Sequence, residues 1–200
     1  MKVRLGVLIS SGGTTLENLA EVIGRGELEA EIVCVIASNG HCFGIERARK
    51  LGLAVEVITR KDAGSLGEFS ARIARALRGK RVELALMAGF LSLWEIPADF
   101  AGRVMNIHPA LLPKFGGKGM HGEHVHAAVL AAGETESGCT VHLADNSYDT
   151  GPIILQRRCA VLAGDTPQTL AARVFAEECA AFPEAVRRWM AERGEERRVP

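Results

Sequence analysis

Two hundred residues, 48% of them hydrophobic and 24% charged, suit one well-buried domain and exclude a disordered chain. The 24 Lys and Arg balance 24 Asp and Glu, so no global positive field recruits nucleic acid or an anionic membrane, and any phosphate must be held locally. Five cysteines without Cys-x-x-Cys spacing, a basic apolar start interrupted at Ser10 and no apolar run of membrane length point to a reduced, soluble, cytoplasmic protein.

Residues 3–9 form a nearly continuous apolar run, followed by Ser10-Ser11-Gly12-Gly13-Thr14-Thr15 and then by Leu16, Leu19, Ala20 and Ile23 at helical spacing. The pattern reads strand, turn, helix. Residues 32–37 and 54–58 repeat the strand signal around a helical stretch at 45–51, and Phe69, Ile73, Ala76 and Leu77 supply another buried helical face. Strands at 82–88 and 104–108 follow. This alternation predicts an α/β fold: an open, mostly parallel, Rossmann-like sheet with helices on both faces and ligands beyond the carboxyl ends of its strands.

The texture then changes. Residues 114–122 are rich in glycine, 125–132 read as a short helix ended by Gly133, and 138–143 and 152–161 read as strands separated by a loop at 145–151. An antiparallel element is expected in this half. Thr166-Pro167 suits an N-cap followed by a first-turn proline, opening a helix through Leu170, Val174 and Phe175 that Pro183 either bends or restarts. The expected organisation is a single domain over 1–190 and a charged tail over 191–200, frayed from Glu192 onward.

Ser10-Ser11-Gly12-Gly13-Thr14 lies where backbone donors and a helix dipole can receive phosphate. It lacks the Gly-Lys-Ser/Thr of a Walker A loop and the spacing of a dinucleotide fingerprint. It therefore suits a monophosphate, or else is an ordinary glycine-rich turn. Further on, Asn106-Ile107-His108-Pro109 is answered about forty residues later by Asp149 in a Tyr-Asp-Thr-Gly-Pro turn. An amide, an imidazole and a carboxylate beside strand ends can stabilise an oxyanion and manage a proton, which points to group transfer. On local sequence Asp149 also reads as a turn cap, and His142, with apolar neighbours, as a satisfied strand histidine. His121, His124 and His126 favour hydrogen bonding or helix-start packing over a metal site.

At these residues the chain resembles the phosphoribosylglycinamide formyltransferases of the folate-dependent formyltransferase family. The resemblance rests on Phe43-Gly44-Ile45-Glu46-Arg47-Ala48, Ala88-Gly89-Phe90, the stretch from Gly102 to Lys114 that contains Asn106-Ile107-His108-Pro109, and Asp149-Thr150-Gly151-Pro152-Ile153-Ile154. Methionyl-tRNA formyltransferases share the core but carry a carboxyl-terminal domain, and formyltetrahydrofolate hydrolases usually an amino-terminal one, neither of which is expected here.

The resemblance implies formyl transfer from 10-formyltetrahydrofolate to the amine of 5-phospho-D-ribosylglycinamide in purine synthesis, with no metal required. It implies Asn106, His108 and Asp149 as the catalytic set, with Asp149 orienting the imidazole. It implies Gly12, Gly13, Thr14 and Thr15 at the phosphate and Glu178 at ribose hydroxyls, although Glu178 alone reads as a solvated helix residue. For folate it implies Phe90, Leu91, Ser92, Leu93, Trp94, Asn106, Val141, Ala144, Asp145 and Asp149, with Trp94 otherwise a cover for the sheet. The chain departs from the family where Gly13 replaces an amide side chain, where Ser92 replaces a frequent arginine, and in its long 116–122 loop. The alternatives are a formyltransferase for another small amine or amino sugar, and a non-catalytic folate- or phosphate-binding module. A monomer or homodimer is expected, with no nucleic-acid or membrane partner.

Overall fold

The computed structural model describes residues 2–196. In chain order the elements are β1 (Val3–Ile9), α1 (Thr14–Gly24), β2 (Ala30–Ala37), α2 (Gly44–Lys50), β3 (Val55–Val57), α3 (Arg60–Ala63), α4 (Leu66–Gly79), β4 (Leu84–Met87), a 3-10 turn (Ala98–Phe100), β5 (Val104–His108), α5 (Glu123–Ala131), β6 (Glu136–Leu143), β7 (Ile153–Ala160) and α6 (Pro167–Glu196). The strands lie in the order β3-β2-β1-β4-β5-β6-β7. Pairs β1–β2, β1–β4, β2–β3 and β4–β5 are parallel, and β5-β6-β7 is antiparallel. The α/β fold expected from the alternating pattern is the one formed.

By contacts the chain falls into two compact units. One holds the described residues up to Ile107 together with His142–Pro152, the other His108–Val141 with the described residues from Ile153 onward. In the first unit the chain order runs outward from β1 to β3 and returns to β4, so the direction of winding reverses between β1 and β4. The loops that follow those two strands therefore flank a topological switch point, where α/β sheets present ligand sites.

The first unit owes its core to the periodicities legible in the sequence. Phe69, Ile73, Ala74 and Leu77 of α4 pack with Leu8, Ala85, Met87, Trp94, Phe100 and Val104. Each large side chain so buried contributes about 1.5–3 kcal/mol through its removal from water. Ser65 opens α4 by accepting from the Glu68 amide at 3.1 Å, and Thr59 opens α3 in the same way from Asp62. In the second unit α6 packs on β7 and α5, burying Leu170, Val174, Phe182, Val186 and Trp189.

Thr166 caps α6 through the Thr169 amide at 3.2 Å. The helix then runs unbroken past Pro183 to Glu196. Proline removes one amide donor, yet Phe182, Ala185 and Val186 are fully buried around it, and that packing holds the helical path. The charged stretch from Glu192 thus starts as helix rather than as a frayed tail, with the Arg193 guanidinium 4.8 Å from the Trp189 ring centroid. Positions 197–200 of that stretch lie outside the described residues.

Candidate active site

Asn106 is in β5, between the buried Met105 and Ile107. Its Nδ2 lies 3.3 Å from Asp149 Oδ1 and 3.1 Å from His142 Nε2. The carboxylate dictates the sense of the amide, because Oδ1 of Asn106 turned toward Asp149 would set two acceptors against each other. Both N–H bonds of Asn106 are thereby directed, one to each neighbour. His142 Nδ1 faces the Leu143 carbonyl at 3.0 Å. A carbonyl only accepts, so Nδ1 carries the proton and Nε2 receives the Asn106 N–H. The same Nε2 is 3.6 Å from Asp149 Oδ1. In this unit, then, an amide, an imidazole and a carboxylate form a closed polar triangle on a strand, its neighbour and a loop.

Asp149 reaches this position through an unusual backbone, with φ at 57°. Two residues on, Gly151 admits no side chain, since a Cβ there would overlap the Leu143 carbonyl oxygen. Asp145 folds the loop from within, accepting from the Ser147 amide at 2.9 Å and from the Thr150 hydroxyl at 2.9 Å. Its carboxylate is thus engaged in loop structure. Asn146 Oδ1 accepts from the Ile96 amide at 2.7 Å, which ties this loop to the segment after β4.

That segment carries most of the residues implied for folate. Leu91 is exposed, Ser92 and Leu93 are half-buried. Phe90 and Trp94 belong to the core: Phe90 stacks on Phe69 with centroids 6.4 Å apart, and the Trp94 N–H donates to the Ser70 carbonyl at 3.2 Å. Trp94 is 1% exposed, so its ring covers the sheet, the blander of its two readings. Ser92 donates to Ser38 at 3.1 Å, Ser38 pairs with Ser10 at 2.6 Å, and Ser10 accepts from the Leu91 amide at 2.9 Å. These hydroxyls link the ends of β1 and β2 to the loop after β4.

The first glycine-rich loop ends at Gly13, which occupies the left-handed region at φ 77° as the residue before α1. No side chain caps that helix. A Cβ on Gly13 would come within 2.6 Å of the Gly44 Cα, so the loop and the start of α2 touch backbone to backbone. Gly12 and Thr15 are half-buried and Thr14 is exposed.

In the second unit His108, 4% exposed, donates from Nε2 to the Phe115 carbonyl at 2.8 Å. The segment after it is anchored by Thr140, whose hydroxyl donates to Ala110 O at 2.6 Å and accepts from Leu112 N at 3.0 Å. His126 is buried, its Nδ1 has no hydrogen-bond partner, and burial first and His108 second hold its pKa below the usual range. Glu178 on α6 is half-buried, and loss of solvent pushes its carboxyl up to about 7. Burial, and after it the Glu178 charge, pushes the Cys139 thiol up to about 12. Val141 is fully buried in β6. His121 and His124 meet edge to face at 5.7 Å. No group of three or more metal-binding side chains is assembled among the described residues.

Asn106 and Asp149 are therefore in one polar cluster, and His142 joins them as the satisfied strand histidine that its apolar neighbours suggested, both ring nitrogens being hydrogen-bonded. The signal for that place was its alternation with Thr140, which puts two polar side chains on one face of a buried strand.

Residues 3–186 match the formyl transferase family, and the chain belongs to that family. It is 39% identical over 186 residues to the chloroplastic phosphoribosylglycinamide formyltransferase of Arabidopsis thaliana, covering 92% of this chain and 64% of that protein. It is 42% identical over 187 residues to the trifunctional purine biosynthetic protein adenosine-3 of Drosophila pseudoobscura pseudoobscura, covering 92% of this chain and 13% of that longer protein. Its fold superposes with a TM-score of 0.87 on the crystal structure of glycinamide ribonucleotide transformylase 1 from Symbiobacterium toebii, at 37% identity over 93% of this chain and 86% of that one. The chain thus spans under two thirds of the length of both curated relatives. No described helix is long and apolar enough to cross a membrane.

Proposed function

We propose that this protein transfers the formyl group of 10-formyltetrahydrofolate to the primary amine of 5-phospho-D-ribosylglycinamide. The observation that carries the reading is the polar cluster of Asn106, His142 and Asp149, in a chain of the formyl transferase family whose relatives bear that enzyme's name. In the reaction the amine nitrogen bonds to the formyl carbon, the bond from that carbon to the folate nitrogen breaks, and one proton passes from the first nitrogen to the second. Negative charge appears transiently on the formyl oxygen. Asn106 and His108 stabilise it as donors, Asn106 by giving up its longer, 3.3 Å contact to Asp149. The Asp149 carboxylate, released from that amide, takes part in moving the proton, directly or through a water.

The flanking residues divide the two substrates between them. The backbone amides of Gly12, Gly13, Thr14 and Thr15 hold the phosphate, and Glu178 accepts from ribose hydroxyls. A flat heteroaromatic ring suits the main-chain donors and acceptors of Leu91–Leu93 and of 144–149, with Leu93 as an apolar wall; the Asn146 link between the two loops supports that fit. Phe90, Trp94 and Asp145 act from behind, by holding backbone in place. The reaction needs no metal, and we read the protein as a cytoplasmic monomer or homodimer.

The test is incubation of the purified protein with both substrates, without ATP or added metal, followed by mass analysis of the glycinamide. A single formyl adduct is expected. Folded protein that binds folate but yields no adduct would reduce the reading to that of a binding module.

A further inference from the structure

The stretch Phe43-Gly44-Ile45-Glu46-Arg47-Ala48 takes no part in the chemistry proposed above, yet it is built against the first glycine-rich loop. The Gly44 amide donates to the Ser11 carbonyl at 3.1 Å. One turn on, Arg47 Nη1 donates to the Gly12 carbonyl at 2.5 Å. The loop's consecutive carbonyls are both drawn toward α2. Their peptide units are trans, the Leu112-Pro113 bond being the one cis peptide among the described residues. A planar trans peptide points its C=O and N–H in opposite directions, so pulling those two carbonyls one way turns the Gly12 and Gly13 amides the other way. Adjacent amides aimed to one side, ending in a left-handed residue such as Gly13 at φ 77°, form a concave anion receptor.

Arg47 is itself held. Glu17 Oε2 on α1 takes its Nε at 2.9 Å, and the Phe43 ring lies beneath the guanidinium at 4.9 Å. The side chain is three-quarters shielded from solvent, so the brace is not a loose surface pair. Gly44 is required by the same contact, because a Cβ there would lie 2.9 Å from the Ser11 carbonyl oxygen.

We infer that Arg47 is a positioning residue for phosphate recognition: it pins the Gly12 carbonyl so that the loop's amides stay turned toward the substrate's phosphate. The inference rests on the reading of that loop as the phosphate site. It also assigns Arg47 a use of its fork shape: one nitrogen serves the carbonyl while another serves Glu17, which a lysine cannot reproduce.

The test compares phosphoribosylglycinamide with its dephosphorylated form in steady-state assays of the wild type, R47M and R47K, with the KM for 10-formyltetrahydrofolate as internal control. Loss of a charged hydrogen bond predicts that R47M raises KM for the phosphorylated substrate about 10- to 100-fold, with the folate KM and the turnover of the dephosphorylated form held within about twofold. R47K keeps the charge but not the fork and is expected to lose most of the same preference. Equal losses on both substrates in R47M, or full retention in R47K, would overturn the inference. A wild type without preference for the phosphorylated substrate would defeat the phosphate reading itself, and this inference with it. A wild type and an R47M with the same preference would defeat the brace alone. Should R47M fail to fold, E17Q, which frees one side of the guanidinium, is expected to lower the same preference in the same direction, and an unchanged ratio would count against the brace.

Discussion

Asp149 carries a side chain at φ 57°, a conformation that non-glycine residues seldom adopt, and it meets Asn106 while strained in this way. If that strain serves placement of a carboxylate, D149N should keep the fold and ground-state folate binding while kcat falls about 10²- to 10⁴-fold, the range typical of a lost proton-transfer group. H108N should damage the same step, and the double variant should cost less than the product of the two. Rapid-quench measurement of the transfer step checks this, and a D149N rate close to wild type would leave Asp149 as a turn residue. Glu178 supplies a pH prediction. Its folded-state value near 7 exceeds its ordinary 4.5, so between those values the folded protein keeps a proton that the unfolded chain has released. Stability contributed by the neutral form is complete below about 4.5 and is lost as pH rises through about 7. E178Q cannot titrate, so its melting temperature should match wild type in acid and exceed it above neutrality; a difference that stays flat with pH would contradict the assignment. The motif singled out Asp149, and the fold brings its carboxylate to Asn106. Its neighbour His142 was legible as a satisfied strand histidine, but its place beside Asn106 and Asp149 was not, because those partners lie 36 and 7 residues away and are brought to it by the fold.

At the scale of elements, the turn between β6 and β7 sets the carboxylate. The Leu143 amide donates to the Pro152 carbonyl at 2.9 Å, closing the turn across the very place where Gly151 lacks a side chain. G151A must therefore shift backbone, at a cost of about 1–3 kcal/mol by analogy with overpacked cores, and should lower turnover together with stability. Denaturant titration and a kcat measurement on the same sample check this; a stable, fully active G151A would show that the turn has room to relax. The periodic elements were the legible ones. Strand β1 begins and ends where its apolar run does, because parallel strands buried on both faces read as nearly continuous hydrophobic stretches. Helix α3, four residues long with none buried, has no apolar face to announce it. The continuity of α6 through Pro183 was equally hidden, since burial of Phe182 and Val186 overrides a local breaker only once the chain has folded.

Over the whole molecule, 24 basic residues against 24 acidic ones leave no long-range field to attract an anionic substrate. On the proposed reading, recognition falls to short-range groups: the amides of the first loop, the polar edges of the two linked loops and the triangle of Asn106, His142 and Asp149. Selectivity among amines should follow the fit of the phosphoribosyl body and short-range hydrogen bonding to its phosphate, in place of long-range attraction. One competition experiment tests this most directly. Equal concentrations of phosphoribosylglycinamide, an amino sugar and methionyl-tRNA are offered together with limiting 10-formyltetrahydrofolate, and the destination of the formyl group is read by mass. The account predicts that the formyl group is recovered on phosphoribosylglycinamide. Its recovery on another amine, or as free formate, would contradict the account.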